Sequence, residues 1–184
     1  MTEPRKFAPL VVTRRVRVRR FETADLAAFL AYRSDPQVGR YQGWSPMDAA
    51  AALAFLEQMA RMEWLVGGQW MQLAIADAGT NQLLGDIGVH PDDNFTEAEL
   101  GFTLAAQHQG KGLAAEAVGG VARALFRRTP VKSIRAGTDA RNLASIALLE
   151  RLGFRRVSEQ QAMFRGEPCV EYVYVLASSE VISR

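Results

Sequence analysis

The sequence predicts one mixed α/β domain over residues 1–184, built around a single sheet, and three observations carry that prediction. At 184 residues the chain fits the size of about one domain with one sizeable core. Runs of period-two hydrophobicity alternate with runs of helical period along its length. Neither an internal repeat nor a linker-like stretch divides it.

Val11 to Phe21 alternates Val16 and Val18 with Arg15, Arg17 and Arg19, the pattern of a half-buried strand. Thr23 reads as the N-cap of a helix through Leu26, Phe29 and Leu30, which Asp35-Pro36 ends. Ser45-Pro46 opens a second helix through Leu53, Leu56 and Met59, proline being suited to a first turn. Between these helices Tyr41-Gln42-Gly43-Trp44 forms an aromatic loop, either a packing plug or the wall of a substrate pocket.

Trp70 to Ala76 and Leu83 to Val89 form an antiparallel hairpin across a turn-rich connection, and a third strand follows from Ala98 to Leu104. A helix runs from Gly112 to Phe126, with Ala114, Val118, Val121 and Leu125 on its apolar stripe. Lys132 to Thr138 is a strand and Asn142 to Leu152 a helix. Phe154 to Gln161 and Val170 to Leu176 close the chain as a strand pair.

Composition narrows the function. Hydrophobic residues at 48% and charged residues at 23% are ordinary for a globular domain, which excludes disorder, collagen-like repeats and a coiled coil as the whole fold. With 22 basic against 20 acidic side chains the net charge is only +2, so a dedicated nucleic-acid binder is not expected. A single cysteine, Cys169, and two histidines, His90 and His108, argue against an internal disulfide and a metal centre. Met1 to Leu10 carries no apolar signal core, and no run approaches the roughly 18 apolar residues of a membrane span. A cytoplasmic protein without membrane partners is therefore expected.

The segment from Leu104 to Ala117 carries the most chemistry, because a strand enters a Gly-rich turn that opens straight into a helix. Backbone N–H groups of such a turn and of the first helical turn converge on one point, which suits a phosphate or pyrophosphate. Gly110 and Gly112 let the chain approach that ligand without a Cβ in the way. A kinase-type phosphate loop requires Ser or Thr after Gly-Lys, and the dinucleotide fingerprint requires a third glycine; this turn has neither.

Gln107-x-x-Gly110-x-Gly112 resembles the acyl-CoA pyrophosphate loop of the GNAT superfamily of N-acetyltransferases, and Leu84–His90, Ala98–Leu104 and Asp139–Phe154 agree with it in order and distance. Together they resemble the branch that includes the ribosomal-protein N-terminal alanine and serine acetyltransferases. The resemblance implies a central, mostly antiparallel sheet, splayed between the fourth and fifth strands and flanked by about four helices. It implies acetyl-CoA as co-substrate, no metal, an amine acceptor, and a monomer or homodimer. Phe102, Thr103 and Leu104 on the fourth strand would then face the pantetheine as a neighbouring strand would. Gln109, Gly110, Lys111, Gly112, Leu113 and Ala114 would hold the pyrophosphate, and Asn142 the pantetheine; Asn142 is equally an N-cap.

Acetyl transfer to an amine must remove a proton from the amine and deliver one to the departing thiolate. Glu99 is the first candidate for the base, with a structural carboxylate paired to arginine as the competing reading; Asp92, Asp93, Glu97 and His90 stand behind it. Glu116, one turn into its helix, reads as structural, and His108 as exposed in the turn. Many members of the superfamily place a Tyr acid seven residues after the Asn, where this chain has Leu149. Ser145 is the hydroxyl left for that role, or else caps the helix. Tyr41 and Trp44 are the candidate acceptor-binding residues. A small-molecule amine acetyltransferase and a non-catalytic acyl-CoA-binding module remain as alternatives.

Overall fold

In the computed structural model, which describes residues 9–164 and 166–179, the chain is a mixed α/β domain with one eight-stranded sheet and four α-helices. The strands are β1 (Val11–Val12), β2 (Val16–Arg19), β3 (Met71–Asp77), β4 (Leu83–Pro91), β5 (Glu97–Leu104), β6 (Ser133–Asp139), β7 (Arg155–Phe164) and β8 (Glu167–Ala177). The helices are α1 (Leu26–Arg33), α2 (Ala49–Arg61), α3 (Leu113–Arg128) and α4 (Leu143–Arg151). Sheet order is β1-β2-β3-β4-β5-β6-β8-β7, antiparallel except where β5 meets β6. Most of the N-terminal segment read as lacking a signal core, residues 1–8, lies outside the described residues. No described helix is long and apolar enough to cross a membrane.

Strand alternation sends side chains to two cores. Met71, Leu73 and Ile75 of β3 join Ile87 and Val89 of β4 under Val118, Val121 and Leu125 of α3. On the opposite face Ala74 and Leu83 meet Phe29 of α1 and Leu56 of α2. The helices on either face thus leave the strand ends between β5 and β6 free to form a site.

Three boundaries differ from the sequence reading. The single strand expected over Val11–Phe21 is a small hairpin, because Thr13 N–H donates to the Val16 carbonyl at 2.8 Å and Thr13 Oγ1 accepts the Val16 N–H at 3.0 Å, which turns the chain. Thr23 is not the cap: Glu22 and Asp25 form a reciprocal capping box around a short 3₁₀ turn that leads into α1. The second helix starts at Ala49, not at Pro46, because Asp48 accepts the Ala51 N–H at 2.7 Å and so caps it.

Candidate active site

β5 and β6 pair in parallel only through Glu97–Ser133, Ala98–Ile134 and Glu99–Arg135. Beyond that point β5 stays with β4 as far as Leu104, while β6 stays with β8 as far as Asp139. Each strand follows its other neighbour, so the two diverge and leave a wedge with backbone groups on its inner edges. This is the splay expected between the fourth and fifth of the strands read from sequence, counted there with the first hairpin as one.

A cavity of about 660 Å³ fills the wedge and runs from the α1–α2 connection to the N-terminus of α3. That is ample for a cofactor-sized arm. Gly110 and Gly112 both have left-handed backbone, φ 72° and 78°, which only glycine adopts without strain. Glu116 N–H makes the first helical bond, to the Gly112 carbonyl at 3.2 Å. Leu113, Ala114 and Ala115 therefore present N–H groups without helical partners to the cavity they line. Their direction and the α3 dipole favour an anion at this end.

Arg15, which sequence reading passed over, reinforces this end. Its guanidinium donates to the Lys111 carbonyl at 2.9 Å and pairs with Glu116, which also accepts from Thr13 Oγ1 at 2.7 Å. Glu116 thereby ties the β1–β2 turn to α3. His108 does not simply point to solvent: it lines the cavity, and burial together with the Lys111 charge pushes its imidazole below the usual range.

Of the ten residues expected to hold the cofactor, Lys111 alone does not line the cavity; its side chain is exposed. Gln109 Nε2 donates to the Leu104 carbonyl at 2.9 Å and closes the turn onto the end of β5. Gln42 Nε2 reaches the Phe102 carbonyl at 3.4 Å, which puts the α1–α2 connection against the free edge of β5. Asn142 caps α4 by accepting the Ser145 N–H at 3.2 Å through Oδ1. Its Nδ2 remains available to a ligand, so both roles read for it are compatible. Arg151 also lines the cavity, at helical spacing from Ala144, Ala147 and Leu148, a periodicity that could have revealed it.

Tyr41 lines the cavity and Trp44 does not. Trp44 is half-buried against the α1–α2 core, with the Arg33 guanidinium 4.5 Å from its ring. Ser145 lines the cavity, whereas Glu99 lies outside it on the exposed face of β5, one residue beyond the lining Leu100. Glu99 has no ion pair or hydrogen bond among the described residues, because Arg135, its neighbour in register, turns to Glu97 at 3.8 Å. Of the other carboxylates, Glu97 also accepts from Ser133 Oγ, and Asp92 accepts from Thr96 and the Glu97 N–H.

A family model described as an acetyltransferase (GNAT) domain matches residues 15–155. An uncharacterized N-acetyltransferase, p20, from Bacillus licheniformis is 30% identical over 145 residues, covering 78% of this chain and 81% of its own. A GNAT-family acetyltransferase structure from Bacillus anthracis superposes with TM-score 0.81 at 22% identity, over 92% of this chain and 98% of that one. RimL, a ribosomal L7/L12 alpha-N-protein acetyltransferase solved in complex with coenzyme A, superposes with TM-score 0.78 at 14% identity, over 92% and 98% of the two chains.

Proposed function

The chain belongs to the GNAT acetyltransferase family, and from that premise we propose that it carries acetyl from acetyl-CoA to a primary amine, a protein N-terminal α-amino group being the first acceptor to test. The observation that carries the proposal is the divergence of β5 from β6 into a cavity that ends on the unpaired N–H groups of α3.

In this reading the pyrophosphate rests on the N–H groups from Gly110 to Ala114, the Gln109 N–H being taken by the Ala106 carbonyl at 3.2 Å, and the pantetheine lies along the free edge of β5 at Phe102 with Asn142 Nδ2 as a further donor. The thioester then reaches the point where the strands part, and a β5 N–H faces its oxygen, where charge grows as the amine attacks. Glu99 accepts the amine proton directly or through a water, nitrogen bonds to the carbonyl carbon, and the carbon–sulfur bond breaks. Ser145 passes its hydroxyl proton to the thiolate and takes one from water in its place. Tyr41 borders the acceptor's approach. An α-amino group with pKa near 8 is about one-tenth neutral at pH 7, so it asks less of Glu99 than a lysine-like amine does.

At 14% identity the likeness to RimL carries the fold and not the acceptor. A panel of peptides with N-terminal Ala or Ser, spermidine and an aminoglycoside, assayed for CoA release, tests the reading. Release with any member supports it; acetyl-CoA binding without release leaves the non-catalytic module as the function; absence of binding overturns both.

A further inference from the structure

On the sheet face that carries α1 and α2, the registers of β3, β4 and β5 arrange side chains in rows. Ala74, Asp86 and Thr103 form one row, and Gln72, Gly88 and Gly101 the next. His90 and Glu99 form the third, and Trp70, one residue before β3, stands against His90 with ring centroids 5.2 Å apart. The first row is covered, since Tyr32 and Arg33 of α1 bond Asp86. The third is open: Trp70 is 44% exposed, and Glu99 is exposed and unpartnered among the described residues.

The middle row is covered at Gly88 and bare at Gly101. A Cβ on Gly88 would meet Gln72 Oε1 at 2.6 Å and two carbons of the Trp70 indole at 3.0 Å, so the Gln72 amide and the indole together cover that glycine. A Cβ on Gly101 would meet nothing within 4 Å, so the space over that glycine is empty. Gly101 also lines the large cavity, which makes the trough continuous with the place where the thioester is proposed to arrive. An aromatic face and a free carboxylate beside the bare Gly101 are complementary to a small organic cation.

We propose that this trough is the ammonium-binding half of the acceptor site, with Trp70 as a positioning residue that holds a protonated primary amine over Gly101 beside Glu99. The inference rests on the acetyl-transfer reading and deepens it: the acceptor binds as its ammonium, passes a proton to Glu99, and the neutral amine attacks the acetyl carbonyl. Gly101 lets the nitrogen descend to the sheet, while Gly88 lets the indole lie close beside it. The nearest arginine in register, Arg135, is drawn toward Glu97 and does not neutralise Glu99.

Two measurements test it, with alaninamide and spermidine as probes. In steady-state CoA release, Trp70→Leu raises the acceptor KM about tenfold while kcat and the acetyl-CoA KM hold, and Trp70→Phe restores most of the loss. Trp44, Trp64 and Trp70 are the three tryptophans, so Trp44→Phe with Trp64→Phe leaves Trp70 as the sole reporter. Its emission, titrated with either amine in the presence of CoA, changes saturably, and Glu99→Gln abolishes the change. A flat titration with both amines, or a response indifferent to Glu99→Gln, overturns the trough whatever the activity shows. A normal titration on a protein that never releases CoA overturns the acetyl-transfer reading and leaves the trough standing. If the two-Phe background fails to fold, an unchanged acceptor KM in Trp70→Leu overturns the trough.

Discussion

Arg33 and Asp86 form a buried ion pair, 3.0 Å between Nη2 and Oδ2, that joins the last turn of α1 to β4. Asp86 is 1% exposed and also accepts from the Tyr32 hydroxyl and from Gln72 Nε2. Burial and the Asp86 charge push the Tyr32 hydroxyl well above the usual phenol range, so it remains a donor at every physiological pH. The pair also sets the connection after α1, because Arg33 lies between the rings of Phe29 and Trp44.

Asp86→Ala strands a buried guanidinium and is expected to destabilise the fold by roughly 3–5 kcal/mol. Asp86→Asn, which keeps an acceptor, loses less. Denaturant unfolding measures both. Equal stability of Asp86→Ala and the parent would show that water reaches Arg33 and that the pair contributes nothing net.

Gly112→Asp puts a Cβ and a negative charge into the turn that faces the proposed pyrophosphate, and at φ 78° the new residue is also strained. The Cβ would approach Arg15 Nη2 to 3.3 Å, so the added carboxylate competes for that cation as well. Acetyl-CoA affinity is expected to fall at least tenfold by calorimetry. An unchanged affinity removes the turn from the cofactor site.

The Gly-rich turn and the Asn142 cap were legible because local backbone chemistry demands those residue types where they stand. Left-handed φ calls for glycine, and a helix start calls for a side-chain acceptor. The splay came only through family resemblance, since no local pattern says that β5 and β6 will each follow another partner. Arg15 escaped because its contacts with Lys111 and Glu116 join distant parts of the chain, and alternation with Val16 and Val18 marks it merely as solvent-facing. Trp44 shows the converse limit: an aromatic loop between two helices has the same composition whether its ring lines a cavity or, as here, packs under an arginine. The trough was invisible for a similar reason, because the covered Gly88 and the bare Gly101 become neighbours only through the β4–β5 register.

Asp139 ends β6 and accepts from Arg141 through Nε at 2.9 Å, Nη2 at 2.7 Å and the backbone N–H at 2.8 Å, while its own carbonyl accepts the Asn142 N–H. These bonds, the Arg141 side chain first, hold its carboxyl below the usual range in the folded protein. The unfolded chain then binds the proton more readily, so the stabilisation is complete above the ordinary Asp pKa of about 3.9 and disappears as pH falls through the folded value. Asp139→Asn is expected to lower the urea midpoint at pH 7, with the gap to the parent narrowing as pH falls below the ordinary Asp range toward the lower folded value. A gap that is constant with pH would assign the loss to packing instead of charge.

Ser145 bears on the proton that the leaving thiolate needs. Its N–H is the group that Asn142 caps, so its hydroxyl is not required to start α4, and that hydroxyl makes no hydrogen bond among the described residues. Leu149, where many relatives carry a tyrosine, is fully buried and has nothing to donate. A donor that acts as the carbon–sulfur bond breaks is felt in the transition state more than in the bound complex. Ser145→Ala should therefore lower kcat on the order of 10- to 100-fold and leave the acetyl-CoA KM nearly unchanged. Single-turnover acetyl transfer separates this from a slow release step, which would mask the loss in steady state. If the single-turnover rate of Ser145→Ala equals that of the parent on the same acceptor, Ser145 is not the acid, and the thiolate takes its proton from water or from the acylated ammonium itself.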